Sequence, residues 1–193
     1  MTIKMGRKLI PSNTKREDCV QTPADLALEI VNHFKPNGIV LEPCKGQGNF
    51  LEAYNTYNLI NQIAGKEGIT WAWCEILEGK DFFDFKDKVD WIITNPPYSK
   101  MRKFIQHSMK VADNIVFLAT INHLWLKARL RDIEEDKFGI KEIIIFDTPK
   151  NFPQAGFQIG CFYLKKDYNG DIKYSKLKLT DKEQQKLHTT HKK

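Results

Sequence analysis

Asn95, Pro96, Pro97 and Tyr98 directly follow the apolar, β-branched run VDWIIT, which places an amide, a stiff turn and an aromatic ring where a buried strand should end. Pro96 and Pro97 have fixed φ and no N–H to donate, so main-chain carbonyls here are left to accept hydrogen bonds from a ligand. An amino group suits such a site. The lone pair of an aromatic or amide –NH2 is delocalised, and two acceptors that grip its hydrogens pyramidalise it and expose the lone pair for attack. The Asn95 side-chain oxygen and the Pro96 carbonyl are the candidate acceptors, and the Tyr98 ring offers a face on which a planar group stacks. Standing alone, the four residues read equally as a Pro-Pro turn capping a strand, so their companions decide.

Upstream, GIVLEP reads as a short buried strand followed by CKGQGNFLEAY, with Gly46 and Gly48 bracketing Gln47 where strand turns into helix. Glycines there permit unusual φ and close approach of a ligand, and the helix N-terminus behind them presents free N–H groups. The dinucleotide fingerprint lacks its third glycine, since Phe50 and Leu51 follow Asn49. Glu42 at the strand end repels phosphate and attracts an ammonium or sulfonium centre, which points to a cationic cofactor. A second apolar run, WAWCEI, ends near Glu75, at a separation from the glycine loop comparable to the ~20 residues at which doubly wound folds place the acidic group that takes ribose hydroxyls. In GKDFFDF, Asp81 can accept from an exocyclic adenine amine and Phe82 can pack on an adenine face, whereas Asp84 and Phe85 read as turn and core.

The elements that must position these residues alternate. Helical patterns are predicted over 23–34, with Thr22 as N-cap and Pro23 in the first turn, and over 49–63, 99–113 and 121–138. Strands are predicted over 38–43, 71–76, 89–94, 114–120, 141–148 and 157–167, the last two joined by an irregular turn through Pro149, Pro153 and Gly156. Alternating strands and helices imply a parallel sheet. Residues 171–179 alternate weakly, and a polar tail follows.

At 193 residues with 41% hydrophobic content the chain can bury one good core. It contains no apolar run of the ~18 residues a membrane span needs, and its N-terminus lacks an apolar signal core, so a cytoplasmic protein is expected. Cys19, Cys44, Cys74 and Cys161 are scattered without a C-x-x-C pair, and His33, His107 and His123 are isolated, so no metal is assigned. The net charge of +6 fits a polyanionic partner. Lys100, Arg102 and Lys103 follow the proline loop and are candidate phosphate contacts; Lys127, Arg129 and Arg131 recur on a segment whose Leu124, Leu126 and Leu130 form an apolar counterface, and these read equally as a solvated helix face.

In combination, Thr22-Pro23, LEPCKGQGNF, CEI, GKDFF and NPPY resemble the ordered motifs of the S-adenosylmethionine-dependent amino methyltransferases, specifically the adenine-N6 DNA branch, over roughly residues 18–165. The resemblance implies a Rossmann-like α/β class I methyltransferase fold: a seven-stranded, mostly parallel sheet with a reversed last strand, helices on both faces, and NPPY ending the fourth strand. It places Thr22, Pro23, Glu42, Cys44, Gly46 and Gly48 around the methionine side of the cofactor, Glu75 at its ribose, and Asp81 with Phe82 at its adenine. Cys44 and Lys45 stand where the family often has other residues. An aromatic from the 148–157 loop, Phe152 in preference to Phe157, covers the second face of a flipped base. The implied reaction is direct methyl transfer to adenine N6 in DNA. RNA adenine, DNA cytosine N4, a protein glutamine amide, and a noncatalytic nucleic-acid-binding subunit of the same fold are the alternatives.

The implied layout is an N-terminal arm over 1–17, a catalytic domain over 18–167 and a basic polar extension over 168–193. That leaves no room for a separate target-recognition domain, as in compact orphan enzymes of phage type, so sequence reading falls to loops or to a partner. DNA or RNA is the expected partner, with a homo-oligomer or a specificity subunit possible and no membrane.

Overall fold

The apolar runs between the helical segments become the strands of one sheet. The computed structural model describes residues 20–148 and 156–177, and within them the chain runs α1 (Ala24–Phe34), β1 (Gly38–Glu42), α2 (Asn49–Ile63), β2 (Ile69–Trp73), β3 (Val89–Thr94), α3 (Met101–Val111), β4 (Ala112–Thr120), α4 (Lys127–Glu135), β5 (Phe138–Ile145), β6 (Ile159–Lys166) and β7 (Lys173–Lys176). Across the seven-stranded sheet the order is β2-β1-β3-β4-β6-β5-β7. All neighbours pair in parallel except at β6, which runs antiparallel to both β4 and β5.

Helix spacing decides which face each helix covers. On α1 the apolar residues Leu26, Ala27, Ile30, Val31 and Phe34 recur along one stripe and pack with Phe50 and Tyr54 of α2 in one buried cluster. On α3, Met101, Phe104, Ile105 and Met109 make the equivalent stripe and join Ile133 of α4 in the cluster on the other face. Each fully buried aliphatic or aromatic side chain contributes on the order of 1.5–3 kcal/mol relative to exposure. Polar ties add register: the buried Tyr54 hydroxyl donates to the Ile93 carbonyl at 3.0 Å, and Glu142 of β5 accepts from Lys173 and Ser175 of β7 at 2.9 and 2.8 Å and pairs with His33 of α1 at 3.0 Å.

From β1 the chain passes through α2 to β2 on one side, then returns past β1 to β3 on the other. The connections therefore diverge above the carboxyl ends of β1 and β3, where doubly wound sheets leave a crevice.

Several expectations change. NPPY ends the third strand of the chain, not the fourth, because residues 74–88 turn. Glu75 and Asp81 bend their carboxylates back to Leu77 N and Phe83 N, both at 3.0 Å, and cap the short 3-10 turns Ile76–Glu78 and Phe82–Asp84. Such side-chain bonds give the backbone an alternative to a strand. The reversed strand, β6, is followed by β7, which lies within 168–193 and extends the sheet edge beyond the 18–167 segment. Pro23, not Thr22, occupies the N-cap of α1, and no side chain caps that helix; Thr22 is buried. The helix expected over 121–138 shortens to α4; of the expected apolar counterface, Leu124 is buried ahead of the helix and Leu130 is half-buried, whereas Leu126, the N-cap, is exposed. No helix among the described residues is long and apolar enough to cross a membrane.

Candidate active site

A cleft of about 280 Å³ opens at the crevice between β1 and β3. Its walls come from four stretches: Val20–Thr22 ahead of α1, the loop from Pro43 to Phe50, the turns from Glu75 to Phe83, and Asn95, Pro97, Lys100 and Phe104 after β3. The structure thus brings Thr22, Cys44, Gly46, Glu75, Asp81, Phe82, Asn95, Pro97 and Lys100 to one cavity.

The glycine loop is built from hydrogen bonds that demand its glycines. Gly48 N donates to Lys45 O at 2.8 Å, closing a tight turn, and Gly46 and Gly48 take φ of 52° and 89°. A side chain at Gly46 would also collide with Gln21, whose Oε1 lies 2.5 Å from the position a Cβ would take and accepts from Gln47 N at 2.9 Å. Gly48 is the N-cap of α2, with open space where a Cβ would stand. Glu75 completes the loop, since its Oε2 accepts from Gly46 N at 2.9 Å while Oε1 caps Leu77 N. One carboxylate therefore joins the turns after β1 and β2.

Beyond Glu75, the cleft is aromatic. Phe82 is buried and stacks on Phe104 at 5.2 Å with the planes 26° apart. Asp81 commits Oδ1 to Phe83 N and keeps its second oxygen for another donor. At the far end, Asn95 Nδ2 donates to Val20 O at 3.1 Å, which fixes the amide plane and leaves Oδ1 as its accepting end. Pro97 O accepts from Lys100 N, so the proline loop passes straight into a 3-10 turn and then α3.

Other expected site residues stand apart from the cavity. Glu42 is fully buried beneath the loop, where Oε1 accepts from Cys44 N at 2.8 Å and Thr94 Oγ1 at 2.5 Å. Burial pushes its carboxyl from 4.5 up to about 8; the bonds from Thr94 and Cys44 oppose that rise, and the charge of Glu75 adds to it. Glu42 is thus not among the residues that line the cleft, and burial disfavours its charged form. Tyr98 does not line the cleft either: its ring lies 5.1 Å from that of His123 and burial raises its phenol. Pro96 and Gly48 are buried and Pro23 is half-buried, and none of the three is among the residues that line the cavity. Arg102, expected at phosphate, instead grips Asp132 with two bonds of 2.7 and 2.8 Å, tying α3 to α4. Lys103 is exposed, and Phe152 falls outside the described residues. Phe157 is 59% exposed rather than turned into the core, because β6 begins only at Ile159.

Gln21, Asn49 and Phe104 are cavity residues that motif reading missed. Asn49 Nδ2 donates to Thr22 O at 2.6 Å, and with Gln21 it ties the segment before α1 to the loop. Phe104 is legible only as one apolar residue in a helical stripe.

The buried Glu42 carries a pH signature. Between pH 4.5 and about 8 the folded chain holds a proton that the unfolded chain has released, so stability falls as pH rises through that window and levels off above it. Glu42→Gln is expected to remove this slope, roughly 1.4 kcal/mol per pH unit at most, and to be the more stable protein at pH 8 but not at pH 4. Denaturant unfolding of both proteins across that range is the check; parallel profiles would show that Glu42 ionises as an exposed carboxyl does.

No protein-family profile and no curated protein matches the sequence. Solved structures do match in shape. A Listeria monocytogenes protein assigned to the class I S-adenosylmethionine-dependent methyltransferases superposes with a TM-score of 0.66 at 13% identity, over 93% of this chain and 72% of that one. A protein of Pyrococcus horikoshii assigned as an RNA methyltransferase gives 0.50 at 15% identity, over 81% and 91%. A protein of Vibrio vulnificus assigned as the modification subunit of a type I restriction enzyme gives 0.54 at 16%, over 89% of this chain and 49% of its own, so this chain spans about half its length. At these identities the likeness is one of architecture: the chain has the class I methyltransferase fold.

Proposed function

We propose that this protein transfers a methyl group from S-adenosylmethionine to the exocyclic N6 amine of adenine in DNA. The observation that carries the reading is the cleft in which the Gly46 loop, Glu75, Asp81 with Phe82, and Asn95 converge at the switch point of the sheet. The residues present fit the cofactor. Positive φ at Gly46 and Gly48 opens the backbone ahead of α2 to the methionine end, Glu75 retains lone pairs for ribose hydroxyls, and Asp81 and the Phe82–Phe104 stack suit an adenine. Bound there, S-adenosylmethionine supplies an electrophilic methyl on sulfonium.

Asn95 is the residue that prepares the acceptor. Its amide, oriented by the Val20 carbonyl, offers Oδ1 to one amine hydrogen while the Pro96 carbonyl takes the other. Asn95 has no basic atom, so it holds one hydrogen without removing it; as the N–CH3 bond forms, the S–CH3 electron pair returns to sulfur, and the proton then shed by the amine passes to solvent. Tyr98 packs its ring on His123 and does not line the cleft. In support of a nucleic-acid substrate, the same fold occurs in a protein assigned as a restriction-enzyme modification subunit, and Lys100 stands at the cleft with Lys103 exposed beside it.

The test is radiolabelled S-adenosylmethionine offered with duplex DNA, single-stranded DNA, RNA and a glutamine-bearing protein, followed by nucleoside and amino-acid analysis. Label in N6-methyladenine from DNA is expected; label confined to RNA, cytosine or glutamine would transfer the activity to that substrate. Neutralising Lys100 and Lys103 together is expected to weaken DNA binding alike for all sequences and to lower the salt slope by up to ~2, one unit for each phosphate left without its lysine. A loss confined to one sequence would make them base readers.

A further inference from the structure

Trp125 and Leu126 are 47% and 53% exposed, whereas Trp91 is 7% exposed. They lie between the 3-10 turn Ile121–His123 and α4, on a segment held from both sides. Leu124 is fully buried beneath it, and Arg129 of α4 donates to the His123 carbonyl. The backbone is thus fixed while the indole is turned outward. Its place is specific: the His123 ring, two residues before Trp125, contacts the Tyr98 ring at the end of the proline loop.

The surroundings of this rim are cationic and aromatic. Lys127 lies two residues after Trp125 and is exposed, as is Lys103 on α3, which the Arg102–Asp132 pair locks against α4. Ile121 N donates to Gln158 O at 2.9 Å, bringing the exposed Phe157 to the same side. Exposed aromatic faces with flanking lysines match the chemistry of an unpaired nucleic-acid strand, whose bases stack and whose phosphates need cations. A closed duplex offers phosphates but keeps its base faces covered.

Resting on the reading above, we propose that Trp125 is a stacking platform for a base beside the target nucleotide, so that the rim takes a single-stranded or locally opened nucleic acid. Stacking is sequence-tolerant because every base has a π-face.

The experiment uses the full chain and a fluorescein-labelled single-stranded oligonucleotide of about 12 nucleotides, within the usual site sizes for such surfaces. Binding is read by anisotropy over a salt series, and S-adenosylmethionine affinity by calorimetry. Trp125→Ala is expected to weaken oligonucleotide binding about 5- to 100-fold, as removal of one base stack does, with the salt slope and cofactor affinity unchanged. Trp125→Phe should restore most of the loss. Equal binding by the parent and Trp125→Ala overturns the proposal, as does a loss that phenylalanine fails to restore, which would mark Trp125 as a protein-docking or packing residue. The two readings separate: DNA methylated by a Trp125→Ala protein of undiminished affinity sinks the platform alone, while a stacking loss in a protein that methylates no nucleic acid leaves the platform and removes the reaction. Failure of the parent to bind any oligonucleotide removes both.

Discussion

Asn95→Ala is expected to slow methyl transfer by at least ~100-fold, the loss typical when a preorganised polar contact to a transition state is removed, while S-adenosylmethionine still binds. The separation follows from the site's layout. Asn95 directly follows β3 and bonds Val20 O, so truncating it removes an acceptor for the amine while the bonds of Glu75 to Gly46 N and Leu77 N, which shape the cofactor loop, remain. The change also deletes the bond to Val20 O, at a cost of about 1 kcal/mol, which leaves the fold intact. Single-turnover kinetics beside calorimetry make the comparison. An Asn95→Ala protein of full activity would sink the amine grip, and a parallel loss of cofactor affinity would turn Asn95 into a structural strut of the cleft.

The second large effect is expected at Glu75. This carboxylate accepts from Gly46 N and Leu77 N, so it shapes the cofactor loop before any ligand arrives, and it retains lone pairs for ribose hydroxyls. Glu75→Ala removes both contributions, and the expected loss of S-adenosylmethionine affinity is roughly tenfold to 100-fold, the range for charge-assisted hydrogen bonds of ~1.5–3 kcal/mol. Glu75→Gln tests the mechanism further. Its amide oxygen can satisfy only one of the two backbone donors, and its –NH2 would face the other, so it should bind the cofactor little better than the alanine protein does. Unchanged affinity in either folded variant would move the ribose contact to another residue.

Local chemistry made much of this molecule legible in the sequence. The run VDWIIT ended where Asn95 begins, and the helix after Gly48 spans 49–63 as its spacing indicates, because a β-branched run and a glycine at a helix start act over a few residues. Alternation of apolar runs with amphipathic segments was enough for a parallel sheet with helices on both faces. Boundaries failed where a side chain competed with the backbone, as when Glu75 capped a turn and the strand expected over 71–76 ended at Trp73.

What tertiary structure alone decided was which polar groups face the cleft and which are consumed elsewhere. Glu42 ends β1 and Glu75 follows β2, yet one is sealed beneath Cys44 and Thr94 while the other reaches Gly46. Arg102 and Lys100 lie two positions apart, and only the first meets Asp132, a residue 30 positions away. Gln21 reaches the glycine loop because α1 packs on α2, a contact that no local spacing encodes. Residue type sets what a side chain can bond; the partner it finds depends on long-range packing, and that partner decides whether a charge serves the site or the scaffold.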